Sequence, residues 1–506
     1  STLAYTLFPY TTLFRSDNAT DQAIVLNFTT KTKPAVNKAL YDFIVPTDGD
    51  FKAALDAAAK RTDTSKRFRI FIKQGDYKIP ADEKSKVTGS DGKSYANPTT
   101  YMNTPNVSII GEGMDNTSLT NTVPNSGQSA NVLEGIGKGD VLCLQKGATN
   151  TYFQDLKMYS SMGDAKGRDI VLNDQSNKTI CKNVNLWAYQ DTYVSNNQNG
   201  KFYFEDGILR GRTDYLCGKG DVYYNNVELW ICEKGGYLAV PSQPKKYGYI
   251  FKDCTIKDAT AAKDLNGNYT LGRPWGKGTP IALYIDTKME AIPSAAGWNE
   301  MSGGYPKRFA EYNSYTSTGS VVDLKDRKKV YDAYDSKDGD NYVNRRNETA
   351  GDPILAAEEA AFYTVENIMG QDDDWDPTAA TEQASAPTNV KLNGTTLAWD
   401  NNDYALLWAV CKNGKVVDFT VEPTYNVDDA SATWSVRAAN EMGGLGEATE
   451  ATTSTGIENI TTSADVLSTK IYSADGVQVS KLQKGINIVE KTMSDGSKKT
   501  SKIIIK

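Results

Sequence analysis

Histidine is absent from all 506 residues. Its absence removes the commonest general base, every serine–histidine or cysteine–histidine nucleophile arrangement, and the histidine-ligated zinc sites. In any enzymatic reading, proton transfer then falls to carboxylates. Cysteine is scarce: Cys143, Cys181, Cys217, Cys232, Cys254 and Cys411 show no CxxC spacing. A disulfide framework or an all-cysteine zinc site is thereby disfavoured, and buried thiols are expected. Basic residues are outnumbered, 56 Lys and Arg against 63 Asp and Glu, for a net charge of −7. That balance argues against a nucleic-acid partner, which would need a basic face. No apolar run approaches the roughly 18 residues of a membrane span. Proline is also sparse, 17 residues against 41 glycines and 29 tyrosines, a composition suited to many short strands with tight turns.

A chain of this length exceeds one ordinary compact domain unless the domain grows along one axis. Five segments share a pattern: an apolar or aromatic strand, then Asp or Asn, then a second alternating strand. They begin at Thr151, Thr179, Lys201, Val222 and Tyr249. Their marker residues Asp155, Asn183, Asp206, Asn226 and Asp253 recur every 20 to 28 positions. That period fits one coil of a parallel β-solenoid. Asn and Asp suit the bend because they tolerate left-handed backbone and can bond their own backbone. Asn106–Gly113 reads as an earlier coil. Asp50 followed by Phe51–Lys60 reads as a capped amphipathic helix covering the open end, where a bare sheet edge would recruit other chains.

The expected architecture is all-β: a right-handed parallel β-helix over residues 17–375, then a small β-sandwich and a C-terminal β unit. The acidic, proline-punctuated run from Gln371 to Pro387 marks a linker, placed at 376–385. Residues 386–455, with Leu397-Ala398-Trp399 and Trp434-Ser435-Val436, fit a fibronectin type III-like sandwich whose tryptophans form its core. Residues 456–506 read as a hairpin-rich unit. Residues 1–16 look like the in-frame translation of a sequencing-adaptor oligonucleotide and are set aside. On that reading the natural N-terminus, with any signal peptide, lies outside this sequence.

The chemistry concentrates in three short runs: Gln190 and Asp191 in Tyr-Gln-Asp-Thr, Asp214 in Gly-Arg-Thr-Asp-Tyr, and Arg273 with Trp275 in Leu-Gly-Arg-Pro-Trp. An isolated Asp in a strand-rich repeat is usually a turn residue, and an isolated Arg or Trp is usually an ion-pair or packing residue. The conjunction says more. Asp191 and Asp214 are 23 residues apart, about one coil, which predicts adjacent rungs about 5 Å apart. Arg273 would follow two or three coils later on the same face.

In this order these motifs resemble the pectin methylesterases (carbohydrate esterase family 8). The likeness extends through Asp48-Gly49-Asp50-Phe51, Val107–Gly113, Gly297-Trp298 and Ala310–Ser314, covering about residues 40–375. The resemblance implies a pectinesterase that needs no cofactor or metal. Asp214 would be the nucleophile, Asp191 the acid and then the base, and Gln190 an oxyanion donor. Arg273 would keep Asp214 ionised. Trp275 would stack on sugar, with Arg168, Tyr193 and Tyr215 as further substrate contacts. Counting back from Gln190, the family's second oxyanion glutamine falls on Arg168. A guanidinium there can donate to an oxyanion or grip a free carboxylate.

The alternatives are a pectate lyase or polygalacturonase-type enzyme on the same scaffold, and a non-catalytic pectin-binding surface protein. The last fifty residues are similar to C-terminal sorting domains of the bacterial type IX secretion pathway, implying a secreted or cell-surface protein that meets the secretion machinery. A monomer acting on pectin, without nucleic-acid partner or membrane span, is the expectation.

Overall fold

The computed structural model describes residues 39–505, apart from 126–130, 165–166, 261–264, 402–404, 454–465, 475, 494–495 and 497. The adaptor-like first sixteen residues lie outside that range. From Phe43 to Thr316 the chain winds into a parallel β-helix with three strand columns. The first column runs from Phe43–Val45 to Arg308–Tyr312, and the second from Gly75–Lys78 to Tyr315–Thr316. The third runs from Thr100–Met102 through Leu142–Leu144, Leu172–Asp174, Tyr193–Ser195, Thr213–Gly218 and Tyr237–Pro241 to Thr270–Gly272.

The bend between the first two columns has one cause. Asp155, Asn183, Asp206, Asn226 and Asp253 all have φ between 51° and 57°, and Asp286 and Asn313 extend the series. Their side chains bond from rung to rung: Asn183 Nδ2 donates to Asp155 Oδ1 (2.6 Å), Asn226 Nδ2 to Asp206 Oδ1 (2.7 Å), and Asn313 Nδ2 to Asp286 Oδ1 (2.7 Å). The markers permit the left-handed turn, and these three pairs tie it to the neighbouring rung. Inside the coil, Phe204, Tyr224, Phe251 and Tyr284 stack with centroids 5.2, 4.6 and 4.2 Å apart. Such offset stacking adds to the stability already gained from burial.

The helix Phe51–Lys60 forms as expected, with Asp50 Oδ1 accepting from the Ala53 amide (2.8 Å). It buries Phe51, Ala54, Leu55 and Ala58 in the core shared with Val45, Ile70 and Met102. All six cysteines are buried and unpaired by disulfides.

Downstream, two four-stranded sheets enclose Leu392, Leu397, Trp399, Trp408, Val410, Trp434 and Val436. The tryptophans are core, as the sequence suggested. These sheets dock on the outer face of the first column. The Arg437 guanidinium donates to the carbonyls of Glu112, Leu445 and Gly446 and lies 3.5 Å from Asp155 Oδ2. Glu112 Oε2 accepts from the Val416 amide (3.0 Å). Gly444 is required here by close approach, since a Cβ would stand 1.8 Å from Gln154 Oε1. The segment read as a linker is likewise held down: Thr381 is buried and bonds Glu205, while Gln383 bonds Gln154. Residues 466–505 form a separate four-stranded antiparallel sheet.

Candidate active site

Asp191 and Asp214 sit at equivalent places on neighbouring rungs of the third column. Gln190 bridges Thr213 in parallel register, and Tyr193 pairs with Leu216. Both aspartates have positive φ, 57° and 52°. The register against the next strand slips between Thr213 and Leu216, an irregularity of the kind that re-aims a side chain. Both carboxyls are nearly buried, at 5 % exposure each.

Arg273 follows the strand Thr270–Gly272, two rungs beyond Asp214, with its amide bonded to the Ala239 carbonyl (3.0 Å). Its side chain turns back along the helix axis. Nε donates to Asp214 Oδ1 at 2.9 Å and Nη2 to Oδ2 at 2.7 Å, a two-pronged pair. The guanidinium lies 3.9 Å from the centroid of the Tyr237 ring, which supports it from below by cation–π attraction. Burial works against the Arg273 charge, but the bonds to Asp214 outweigh it and hold the group more firmly protonated than usual.

Asp191 is placed differently. Burial, and second the charge of Asp214, push its carboxyl up to about 7, against the opposing pull of Arg168, Cys217 and Arg273. Two like carboxyls, one gripped by a guanidinium and the other desolvated, thus lie side by side. Arg168 Nε stands 3.5 Å from Asp191 Oδ2 and 3.9 Å from Glu134 Oε1, with about half its side chain in solvent. Gln190 is half-buried, and among the described residues its side-chain amide makes no hydrogen bond within the protein. Trp275 is 39 % exposed, its amide anchored on the Pro241 carbonyl.

Six of the eight positions singled out by sequence therefore stand on this face: Gln190, Asp191, Asp214, Arg273, Trp275 and Arg168. Tyr193 and Tyr215 do not, and as substrate contacts they are corrected. Both rings are fully buried in the central core, and their hydroxyls find no partner among the described residues. Tyr215 directly follows Asp214 and faces the opposite side by ordinary alternation, whereas Tyr193 lies two residues beyond the left-handed Asp191. The positive φ at Asp191 breaks the two-residue alternation there, so Tyr193 also turns inward.

Two contributors were not singled out beforehand. Asp169 accepts from the Gln190 amide (2.9 Å) and the Tyr189 amide (3.2 Å), fixing the backbone that carries Asp191. Burial raises its carboxyl well above the usual range. Tyr237 supports Arg273. Both were within reach of the coil period: Asp169 lies 22 residues before Asp191, and Tyr237 lies 23 after Asp214.

A family profile described as Pectinesterase matches residues 42–347. The chain belongs to the pectinesterase family. It is 24% identical over 301 residues to "Pectinesterase/pectinesterase inhibitor U1" of Solanum lycopersicum, covering 57% of this chain and 47% of that protein. It is 29% identical over 165 residues to "Probable pectinesterase A" of Aspergillus flavus, covering 31% and 48%. The chain spans about half the length of the curated relatives it matches. Among solved structures, pectin methylesterase PemA from Erwinia chrysanthemi aligns with TM-score 0.47 at 20% identity, over 67% of this chain and 98% of that one. The carrot pectin methylesterase aligns with TM-score 0.48 at 17% identity, over 71% and 99%.

Proposed function

We propose that this pectinesterase-family chain hydrolyses the methyl esters of galacturonate units in pectin through a covalent aspartyl intermediate. The observation that carries the reading is the asymmetry of the two carboxyls: Asp214 is clamped twice by Arg273, whereas Asp191 is driven by burial towards its protonated form. An Oδ of Asp214 attacks the ester carbonyl. The oxygen that becomes negative is met by the uncommitted Gln190 amide, with Arg168 close by. In comparable sites, loss of one such donor costs about 2.7–4 kcal/mol of transition-state stabilisation. As the tetrahedral species collapses, the ester C–O bond breaks and Asp191 gives its proton to the departing methoxide, releasing methanol. The acyl group is then bonded to Asp214 as a mixed anhydride. Asp191, now a carboxylate, takes a proton from water, whose oxygen attacks the anhydride carbonyl. Asp214 is regenerated and a free galacturonate leaves. Trp275 offers its exposed indole face to a sugar ring.

The downstream β-sandwich is read as a fibronectin type III-like module docked as part of the body. The final sheet is read as a type IX sorting-like unit, supported by its hairpin order and basic, isoleucine-rich end. Those readings favour a secreted or cell-surface protein acting as a monomer, its export mediated by the secretion machinery. No helix among the described residues is long and apolar enough to cross a membrane.

The test is product analysis on highly methylated pectin. Methanol release without chain shortening or an ultraviolet-absorbing unsaturated product supports the esterase, provided Asp214→Asn abolishes it. An unsaturated product or shortened chains would replace it with a lyase or hydrolase.

A further inference from the structure

A second site stands away from the catalytic face, where the third column turns into the first. Four residues occupy equivalent positions on four successive rungs there: Arg67, Asn106, Asn150 and Lys178. Their register follows from the pairings of Phe68 with Val107, Ser108 with Tyr152, and Tyr152 with Ile180. At about 4.8 Å per rung, the row is roughly 14 Å long. Asn106, Asn150 and Lys178 all take left-handed backbone, with φ of 56°, 59° and 61°. Lys201 lies one rung further on, its carbonyl accepting from the Lys178 amide (2.8 Å).

The cations in this row are unequally neutralised. Lys178 Nζ stands 2.7 Å from Asp373 Oδ2, and Lys201 pairs with the other oxygen of the same carboxylate. Arg67 makes no ion pair among the described residues. Its nearest side-chain partner is the neutral hydroxyl of Ser108, 3.3 Å from Nη1. Its neighbours worsen the imbalance: burial first, and then the positive charge of Arg69, push the guanidinium down to about 10, with Arg61 adding to the effect. Arg69, by contrast, has Asp42 and Glu441 to balance it. A half-buried guanidinium without a counter-charge is costly to keep, since transfer from water is repaid only by pairing.

The space beside Arg67 is a cavity of about 230 Å³ whose walls include Arg67, Asn106, Asn150, Lys178 and the half-buried ring of Trp375. At about 30 Å³ per water, it has room for roughly seven waters, or for one sugar ring. A planar fork of donors matches a carboxylate. An indole beside it matches the apolar face of a pyranose.

We propose that this cavity binds a single uronate unit, its carboxylate on Arg67 and its ring against Trp375, as a second, non-catalytic site for acidic saccharide. The choice of a uronate over a simple inorganic anion rests on the proposed activity, whose substrate and product are polyuronates. The cationic pocket itself stands on geometry alone. Asp373 then has a further role: paired with both Lys178 and Lys201, it offsets one of their two charges and ties both side chains down, leaving Arg67 as the cation of the row without an ion pair among the described residues.

The experiment is calorimetric titration of the full chain with sodium galacturonate and, separately, with inorganic phosphate, on wild type, Arg67→Gln and Trp375→Leu. Methanol release is assayed in parallel. The proposal expects a saturable galacturonate site that weakens at least tenfold in Arg67→Gln and in Trp375→Leu, while methanol release is unchanged in both. Phosphate binding as tight as galacturonate, and indifferent to Trp375, overturns the sugar assignment. Identical galacturonate titrations in wild type and Arg67→Gln overturn the site. Because binding and methanol release are read separately, a chain that releases no methanol but still binds through Arg67 would refute the esterase and spare the pocket.

Discussion

Asp191 should be expensive to keep, and the expense should depend on pH in a calculable way. Its carboxyl is pushed up to about 7 in the folded chain, chiefly by burial, against about 3.9 in the unfolded chain. Below about 3.9 both states hold the proton and nothing is lost. Between about 3.9 and 7 only the folded state holds it, so stability falls as pH rises; above about 7 the loss is complete. At 1.36 kcal/mol per pKa unit, the full span is about 4 kcal/mol, of which about 1.5 kcal/mol is already incurred at pH 5. Asp191→Asn removes the ionisation while keeping the shape and an acceptor for the Cys217 thiol. The variant should therefore gain on wild type by up to about 1.5 kcal/mol at pH 5 and up to about 4 kcal/mol at pH 8, while losing esterase activity. Urea denaturation of both proteins at the two pH values measures the difference. Parallel pH dependence in wild type and variant, or a variant that loses ground as pH rises, would refute the reasoning.

Other outcomes follow from the same geometry. Arg168→Gln removes a positive charge 3.5 Å from Asp191. Because Arg168 is half in solvent, the effect should be screened to at most about one pKa unit; the alkaline limb of the kcat/KM profile for methanol release should move upward by that much, and a limb that stays put would show the contact to be idle. Arg327→Met strands the fully buried Glu311, whose Oε1 lies 2.5 Å from Arg327 Nε, and should cost about 3–5 kcal/mol in thermal or chemical denaturation. Arg437→Met severs three carbonyl bonds and removes the guanidinium 3.5 Å from Asp155; differential scanning calorimetry should then show the sandwich melting before the β-helix rather than with it.

The solenoid was legible because its turn residues are chemically constrained. Asp155, Asn183, Asp206, Asn226 and Asp253 must accept left-handed backbone, and few side chains do so cheaply. The site was legible for a related reason: Asp191 and Asp214 are separated by one coil, so sequence distance translated directly into spatial adjacency. Inward or outward facing was harder to read. Tyr193 would share the face of Asp191 in an unbroken strand, and the positive φ at Asp191 breaks it; Tyr215, adjacent to Asp214, faces inward by alternation itself. Asp169 was hidden because its role is to bond backbone amides of a neighbouring rung, which leaves no motif. The docking of the sandwich was hidden as well. Gly444 against Gln154 and Arg437 against Glu112 join residues some 290 and 325 positions apart, and neither partner is unusual in its own segment.

The division of labour between the two carboxyls is most directly observed by NMR titration of protein labelled with 13C at the aspartate carboxyls, with Asp191→Asn to assign its signal. The account predicts that Asp191 titrates near 7 in wild type, and that its midpoint falls in Asp214→Asn because the neighbouring negative charge is gone. An Asp191 that titrates in the ordinary carboxyl range, or one that ignores Asp214→Asn, would contradict it.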